Sequence, residues 1–335
     1  MKIEHNVSLK PYNSFHVDVA CDTFVEIEKE SELQDYLTNR NQREPLFVIG
    51  DGCNLLFVQD FHGTILKMEN RGISIVDSVE GYRSVKAAAG ENWDSFVRYS
   101  LENHCYGLEN LALIPGKVGS VAVQNIGAYG REVCDFIDKV YAVDIKENRS
   151  LVFTKETCCF GYRDSIFKRE WKGRYVITAV EFRLSAKSIP YIHYADIKHR
   201  LEGVQNVDSN IIYQVVSTIR QEKLPDIEVL GNAGSFFKNP IVEKSLFEAL
   251  LSQYSDLKSF SISDSLCKLS AAQLIEKCGW KGKRLGRAGV YHKQPLVLVN
   301  HGGATGLEIL KLAEKIQQDV MERFGVCLEM EVNII

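Results

Sequence analysis

Residues 107–130 read GLENLALIPGKVGSVAVQNIGAYG, a stretch in which five glycines accompany proline, glutamine and asparagine. A shorter glycine-rich stretch, Gly50-Asp51-Gly52-Cys53-Asn54-Leu55, directly follows the apolar run at 46–49. Because glycine has no Cβ atom, its backbone can approach a ligand closely, and successive N–H groups can form a concave anion site. The first glycine loop (50–55) and the second glycine loop (115–128) therefore predict a cradle for a pyrophosphate. The alternative is that both are only tight turns.

Two common nucleotide motifs are absent from these loops. The dinucleotide-fold fingerprint needs a third glycine, but position 55 is Leu. The P-loop motif fails as well, because Val118 rather than Ser or Thr follows Gly116-Lys117. A dinucleotide bound here would need another architecture, and this favours a flavin cradle.

The composition excludes several other classes of protein. The chain has 335 residues, 45% of them hydrophobic and 25% charged, which is typical of folded globular proteins and predicts two or three domains. Its net charge of −4 argues against a general nucleic-acid or membrane-surface binder. No apolar run approaches the roughly 18–20 residues of a membrane span, and the N-terminus lacks an apolar signal region. We therefore expect a cytoplasmic protein.

The cysteines and histidines do not form a recognisable metal or redox pattern. The nine cysteines are odd in number and no two are spaced C-x-x-C, so we expect reduced thiols and neither a disulfide framework nor a zinc site. The eight histidines show no metal-ligand or triad spacing. We predict no bound metal.

Hydrophobic patterning predicts an α+β fold. Strands are predicted at Leu46–Ile49, Thr64–Met68, Val85–Ala89, Val140–Ile145, Val176–Leu184 and Leu296–Val299. Helices are predicted after Asn92, from about Ser209 to Arg220, and after Thr305, where Glu308 stands in capping-box spacing. Strands and helices do not alternate strictly, which disfavours a doubly wound sheet. Domain boundaries are expected near 68–72 and near Lys223–Pro225.

Six stretches of the sequence stand out together: GLENLALIPGKVGS (107–120), QNIGAYG (124–130), FGYRDSIFK (160–168), KLPD (223–226), GNAGSFFKNP (231–240) and LEMEV (328–332). By these stretches the sequence resembles the UDP-N-acetylenolpyruvoylglucosamine reductase (MurB-type) family, and the match runs over essentially the whole chain. The segment Pro190–Tyr194 resembles the tyrosine-bearing loop of the family's longer subclass, which closes over substrate.

The resemblance implies a fold with two FAD-binding subdomains of the vanillyl-alcohol-oxidase (PCMH) type and a third, α+β substrate-binding domain. The expected division is 1–72 with the terminal strand 328–335, then 73–222, then 223–327. FAD is expected to bind non-covalently. The expected cofactor-binding residues are Gly50, Asp51, Gly52, Cys53, Asn54, Leu55, Pro115, Gly116, Gly119, Ser120, Gln124, Asn125, Gly127 and Ala128.

The implied reaction is an NADPH-dependent reduction of the enolpyruvyl group of UDP-N-acetylglucosamine enolpyruvate, which gives UDP-N-acetylmuramate for peptidoglycan precursor synthesis. Reduced FAD N5 supplies the hydride. By the resemblance, Arg163 stabilises charge on the substrate carboxylate, Ser235 donates the proton and Glu331 is the third catalytic group. A guanidinium stays charged and forks onto a carboxylate, which suits that role. Without the motif, Arg163 would be interpreted as a surface arginine paired with Asp164.

For the sugar nucleotide, the family pattern matches Tyr194, Lys223, Asn239 and Gln294. NADPH is the second small-molecule partner, and we expect a monomer that binds neither nucleic acid nor membrane. The sequence departs from the family at Cys53, where Ser is common, at Val121-Ala122-Val123, and at Met330, where Pro is usual. Two alternatives remain: an oxidase of the same flavin superfamily, and a nucleotide-binding module without turnover. The joint presence of the three catalytic residues weakens the second.

Overall fold

The computed structural model describes all residues from 1 to 335. The helices are α1 (Glu30–Asn39), α2 (Trp93–Glu102), α3 (Val118–Gln124), α4 (Ala195–Arg200), α5 (Ser209–Lys223), α6 (Lys244–Leu251), α7 (Ala271–Lys277) and α8 (Gly306–Phe324). The strands are β1 (Lys2–Ser8), β2 (Ala20–Ile27), β3 (Leu46–Ile49), β4 (Leu55–Leu56), β5 (Phe61–Met68), β6 (Ile73–Val79), β7 (Tyr82–Ala88), β8 (Gly127–Ala128), β9 (Arg131–Glu132), β10 (Ile137–Asp144), β11 (Ser150–Thr154), β12 (Tyr175–Ser185), β13 (Gly231–Ser235), β14 (Ile241–Glu243), β15 (Ser259–Ser261), β16 (Leu266–Leu269), β17 (Arg284–Leu285), β18 (Ala288–Val290), β19 (Val297–Asn300) and β20 (Asn333–Ile334).

Helix capping explains where the clearest helices begin. The Asn92 side chain accepts a hydrogen bond from the Ser95 amide at the start of α2, as its position in the sequence predicts. At α8, Thr305 and Glu308 form the predicted capping box, and the helix ends at Gly325 in the left-handed conformation. The apolar stripes of both helices are buried. These predictions of helices are confirmed.

The chain divides into two compact units, and each is assembled from discontinuous segments. Unit 1 comprises 1–7, 21–51 and 62–222, and unit 2 comprises 8–20, 52–61 and 223–335. The predicted division into two FAD-binding subdomains and a substrate domain, with boundaries at 72 and 222, stays a prediction, because the two compact units do not test a finer division.

Unit 1 contains most of two sheets. One has the strand order β1-β2-β5-β3, and the other, antiparallel, has the order β11-β10-β12-β7-β6. The central strand β12 is buried along nearly its whole length. Its Phe182 packs against Trp93 and Phe96 of α2, with ring centroids 6.0 and 4.8 Å apart. Helix α3, which carries part of the second glycine loop, contacts the same strand β12.

Unit 2 has a four-stranded sheet of order β13-β19-β18-β17 and a smaller sheet of order β14-β16-β15. Its core includes α8 and side chains from the early segments, among them Phe15, Val17 and Leu56. The terminal strand β20 pairs in parallel with β4, so residues 333–334 lie beside residues 55–56.

The mixture of segregated helices and largely antiparallel sheets confirms the predicted α+β class. None of the helices is both long enough and apolar enough to cross a membrane. All nine cysteines are free thiols, and no group of three or more metal-binding side chains occurs.

Candidate functional site

Gly50, at the start of the first glycine loop, lies close to residues 116–120 of the second glycine loop within unit 1. A Cβ atom added at Gly50 would lie 3.4 Å from Ser120 Oγ and 3.6 Å from Lys117 Cβ, and one added at Gly116 would lie 3.4 Å from the same Ser120 Oγ. Gly116 also has φ +123°, a conformation that favours glycine. At both positions the nearest neighbours of an added Cβ would be side-chain atoms and not main chain, although Gly116 itself is buried and Gly50 is partly buried.

Two other loop glycines are explained by the protein's own packing. In unit 2, a Cβ at Gly52 would lie 2.1 Å from Tyr12 O, and Gly52 has φ +64°. In unit 1, a Cβ at Gly119 would lie 2.8 Å from Ala89 Cβ, because α3 packs closely on β7. These two glycines allow segments of the protein to pack closely against each other, and this explains them without a ligand.

A group of four charges surrounds the meeting point of the loops. Lys117 Nζ lies 3.2 Å from Glu69 and 3.6 Å from Asp51, while Lys67 Nζ lies 2.6 Å from Glu69 and 3.8 Å from Asp51. Burial alone would raise the pKa of Glu69, but its hydrogen bonds and charge interactions with the two lysines outweigh burial, and the pKa is lowered. Glu69 is therefore a carboxylate at neutral pH.

Asn125 connects the second glycine loop to the segment that carries Arg163. It is fully buried and left-handed at φ +43°. Its amide nitrogen donates to Gly161 O at 2.7 Å and to Glu132 Oε2 at 3.1 Å, and its oxygen accepts from the Cys134 amide at 3.1 Å. Because the side chain of Asn125 is hydrogen-bonded within the protein, Asn125 is suited to positioning the two segments. Any contact of Asn125 with a cofactor would come from its main chain.

Arg163 is held against the second glycine loop and is not paired with Asp164. Its guanidinium donates to Gly127 O and lies 3.8 Å from Glu132, and only 18% of the side chain is exposed. Asp164 instead pairs with Arg169. Arg163 also adopts φ +56°, which is uncommon for a non-glycine residue and indicates that its surroundings fix its backbone. The interpretation as a surface arginine is wrong.

The tyrosine segment packs on the turn that follows the second loop. Tyr191 contacts Gly130 so closely that a Cβ there would lie 2.6 Å from its ring, and the Arg131 guanidinium lies 4.4 Å from the ring centroid. The Tyr194 ring meets Tyr129 edge-on at 5.3 Å. Burial raises the pKa of Tyr194, and it raises that of Tyr129 to about 12, so both phenols are hydrogen-bond donors at neutral pH.

In unit 2, Ser235 ends β13 after an irregularity in the pairing with β19. The register shifts between Asn232 and Ser235, and Gly234 has φ +67°. The Asn232 side chain fixes this bulge by accepting a hydrogen bond from the Gly234 amide at 3.0 Å. Bulges of this kind commonly redirect a side chain. The Ser235 side chain is partly exposed and forms no hydrogen bond with the protein.

Ser235 and Glu331 lie on neighbouring segments of the chain. The Glu331 amide donates to Phe236 O at 2.8 Å, and Phe237 forms an antiparallel bridge with Met330. Asn54 of the first glycine loop donates to Glu331 O at 3.1 Å. Unit 2 thus brings together a residue of the first loop and two of the three predicted catalytic residues.

Glu329, the neighbouring acid, has a different environment. Its side chain is 70% exposed and pairs with Lys238 Nζ at 2.5 Å. Glu331 is partly buried, two residues further along the same segment. Because residues two apart in an extended segment point to the same face, the difference in exposure comes from tertiary contacts and not from alternation along the segment.

The remaining predicted residues lie in the following places. Gln294 precedes β19 and its side chain accepts from the Leu296 amide at 3.4 Å, next to the pairing of Phe236 with Leu296. Asn239 accepts from the Ala271 amide at the start of α7, at 2.9 Å, and Lys223 is the last residue of α5. Pro115 is exposed, Gln124 accepts from Lys168 Nζ at 3.1 Å, Cys53 is partly exposed, Leu55 is buried in β4, and Ala128 pairs with Arg131.

Sequence reasoning missed Glu69, Lys117 and Glu132. Lys117 was considered only as part of a failed P-loop motif, and its contacts come from residues distant in the sequence. The available signal was the alternation of Lys67 and Glu69 at the end of an apolar strand, which places two opposite charges on one face.

Comparisons with known proteins show what the chain is similar to. Residues 21–148 match the family model described as an FAD binding domain, and residues 225–335 match that of the UDP-N-acetylenolpyruvoylglucosamine reductase C-terminal domain. The UDP-N-acetylenolpyruvoylglucosamine reductase of Pseudomonas aeruginosa is 44% identical, with 100% of this chain and 99% of the relative covered. That of Bdellovibrio bacteriovorus is 45% identical, with 99% of each covered.

A solved structure shows the same fold. The crystal structure of UDP-N-acetylenolpyruvylglucosamine reductase (MurB) from Thermus caldophilus superposes with a TM-score of 0.69 at 22% identity, covering 100% of this chain and 99% of that one. The predicted FAD-binding fold is confirmed by this likeness and by the matching domain model. With full-length relatives above 40% identity, the chain belongs to the UDP-N-acetylenolpyruvoylglucosamine reductase family.

Proposed function

We propose that the protein reduces UDP-N-acetylglucosamine enolpyruvate to UDP-N-acetylmuramate, with FAD as the bound cofactor and NADPH as the electron donor. One observation carries the proposal: Ser235, with a hydroxyl that no protein group engages, lies on a segment paired with the one that carries Glu331. A proton donor and a carboxyl group beside it are what reduction of an enol ether requires of the protein.

The residues of the glycine loops fit FAD. Gly50 and Gly116 both adjoin Ser120, and because they lack Cβ atoms a pyrophosphate can approach their main chain closely. Residues 50–51 and 115–128 fall within the part of the chain that matches the FAD binding domain model. When bound, FAD supplies two-electron chemistry, taking a hydride from NADPH and giving it to the terminal carbon of the enolpyruvyl group.

Arg163 would bind the substrate carboxylate, on which negative charge grows as the hydride arrives. Its hydrogen bond to Gly127 O and its contact with Glu132, 3.8 Å away, orient the guanidinium. A charged fork that is already oriented stabilises developing charge without having to reorganise.

Ser235 would then protonate the neighbouring carbon. A hydroxyl is a weak acid, but a carbon with carbanion character is a strong base, so correct placement suffices. Glu331, in its protonated form, would donate a hydrogen bond to the growing charge. The phenol of Tyr194, together with Lys223, Asn239 and Gln294, would bind the sugar nucleotide through hydrogen bonds and charge.

Stopped-flow absorbance of the flavin tests the proposal. Mixing the yellow holoenzyme with NADPH should bleach the flavin, and adding the enolpyruvyl sugar nucleotide should restore its colour. In Ser235→Ala the first phase should keep its rate while the second slows by several orders of magnitude. A colourless protein that binds no added FAD would refute the proposal. Restoration of colour by oxygen alone would indicate the oxidase.

A further inference from the structure

Lys67, Glu69, Lys117 and Asp51 form a ring of four ion pairs that we call the charge ring. The four nitrogen-to-oxygen distances around it run from 2.6 to 3.8 Å. Two cations and two anions balance, so the ring is neutral. Arg71 extends it, lying 2.8 Å from Glu69 and 3.5 Å from Glu91.

The charge ring is largely shielded from water. The exposed fractions of the side chains are 8% for Lys117, 13% for Lys67, 20% for Glu69 and 29% for Asp51. A shielded ion pair gains little over an apolar pair, but removing one partner leaves an uncompensated charge, which is strongly unfavourable. Each member therefore constrains the position of its partners.

The ring connects both glycine loops to the sheet. Lys67 lies on β5 in register with Ile49, the residue before the first loop, and the Glu69 amide donates to Ile27 O of β2. Asp51 belongs to the first loop and Lys117 to the second. Two ring members thus stand on the sheet, and one stands in each loop.

Within the ring, Lys117 has carboxylate partners from both the first glycine loop and the sheet. Its ammonium group already lies within 4 Å of two carboxylates, Glu69 and Asp51. The Cβ of Lys117 lies 3.6 Å from the position of a Cβ added at Gly50. A shift of Lys117 would therefore change the distance between the two glycine loops. What Lys117 controls is the spacing of the loops.

We propose that Glu69 is a positioning residue for the cofactor: by bridging Lys67 and Lys117, it holds the two glycine loops at the separation that the pyrophosphate of FAD requires. The inference rests on the proposed binding of FAD. It adds that cofactor affinity in this chain depends on a carboxylate which stands on the sheet, outside both loops.

The test measures the dissociation constant of FAD, from the flavin fluorescence that appears when holoenzyme is diluted. Glu69→Gln and Lys117→Met should each raise this constant about tenfold or more, the order expected when a shielded charge loses its partner. The double variant should resemble either single variant, because residues in contact are not additive. Glu147→Gln is the control, since it removes an exposed ion pair with Arg149 in the same unit.

Two further measurements separate positioning from general stability. Competition by ADP, which contains the pyrophosphate, should weaken in Glu69→Gln, whereas competition by riboflavin should not. The midpoint of urea unfolding of each variant is measured in parallel. If Glu69→Gln lowers the midpoint and leaves the dissociation constant of FAD unchanged, the residue is only structural and the inference is overturned. If the wild-type protein holds no flavin, the proposed function fails instead.

Discussion

The two terminal glutamates provide a matched comparison of single residues. Glu331 adjoins the segment of Ser235, whereas Glu329 is exposed and pairs with Lys238. Glu331→Ala should slow the substrate half-reaction by roughly 10²–10³-fold, as loss of one donor to developing charge does. Glu331→Gln still donates a hydrogen bond, so its rate should fall between those of the wild type and Glu331→Ala. Stopped-flow reoxidation of the flavin by substrate measures the effect.

The control for this comparison is Glu329→Ala, which should stay within a few-fold of the wild-type rate. Exposed ion pairs such as the one it removes contribute little. Equal losses in the two alanine variants would mean that the terminal segment matters only for folding and would remove Glu331 from the mechanism.

Gly127 offers a test of how Arg163 is positioned. An added Cβ would lie 2.5 Å from Arg163 Nη1 and 3.0 Å from Arg131 O. Because the closest atom is the end of a flexible side chain, Gly127→Ala should displace the guanidinium at a stability cost of about 1–3 kcal/mol, typical of overpacking. Substrate reduction should slow by at least tenfold while flavin reduction by NADPH keeps its rate.

Combining Gly127→Ala with Arg163→Ala checks the cause. If the glycine acts through the arginine, the double variant should be no slower than Arg163→Ala alone. If the fold-reductions in rate of the two single variants multiply in the double variant, Gly127 contributes independently of Arg163.

At the scale of elements, the turn between β10 and β11 predicts a pH-dependent stability. Burial alone would raise the pKa of Asp144, but hydrogen bonds from the Glu147 amide, the Arg174 guanidinium and the Lys146 amide outweigh it, so the pKa falls below its ordinary 3.8. A lowered pKa stabilises the folded state above the unfolded-state pKa, and the contribution disappears as pH falls through the folded-state pKa.

Asp144→Asn should therefore lower the free energy of unfolding by a constant amount above about pH 5, and the difference should shrink as the pH is lowered through about 4 and below. Urea unfolding at a series of pH values measures it. In Glu147→Gln, which alters an exposed side chain of the same turn, the difference from wild type should be small throughout. A gap that widens in acid for Asp144→Asn would contradict the assignment.

Elements with local signals could be predicted from the sequence, and elements that depend on distant contacts could not. The strand at 46–49, the cap at Asn92 and the capping box at Thr305 follow from neighbouring residues and agree with the structure. The role of Asn125 as a buried link does not follow from neighbouring residues, because its partners Gly161 and Glu132 are brought to it by tertiary folding. The charge ring could not be predicted from the sequence for the same reason.

The candidate site divides in a similar way. The resemblance named Ser235 and Glu331 without indicating that they lie on paired segments, since hydrogen bonds between distant residues leave no periodicity in the sequence. It also treated the glycines alike, whereas a Cβ at Gly52 or Gly119 would clash with the chain and a Cβ at Gly50 or Gly116 would come no closer than 3.4 Å to another atom.

At the scale of the whole molecule, unit 2 is assembled from three separate segments, and this predicts that its C-terminal segment, 223–335, cannot fold alone. The chain passes between the units at 7/8, 20/21, 51/52, 61/62 and 222/223. Phe15, Val17 and Leu56, from the two early segments, are at most 2% exposed and belong to the core of unit 2. Burying them contributes about 5–9 kcal/mol in all, comparable with the roughly 5–15 kcal/mol that stabilises a whole domain.

A fragment of residues 223–335 should therefore lack a cooperative unfolding transition and give a poorly dispersed NMR spectrum. Gly231 approaches Phe15 O so closely that a Cβ would lie 2.5 Å away, and Asn300 donates to the same oxygen at 2.8 Å, so the fragment also loses partners of its buried strands. Adding peptides 8–20 and 52–61 should restore dispersion in part, and a peptide 8–20 carrying Phe15→Ala should not. A fragment that melts cooperatively without either peptide would show that the early segments only cover a core which 223–335 forms by itself.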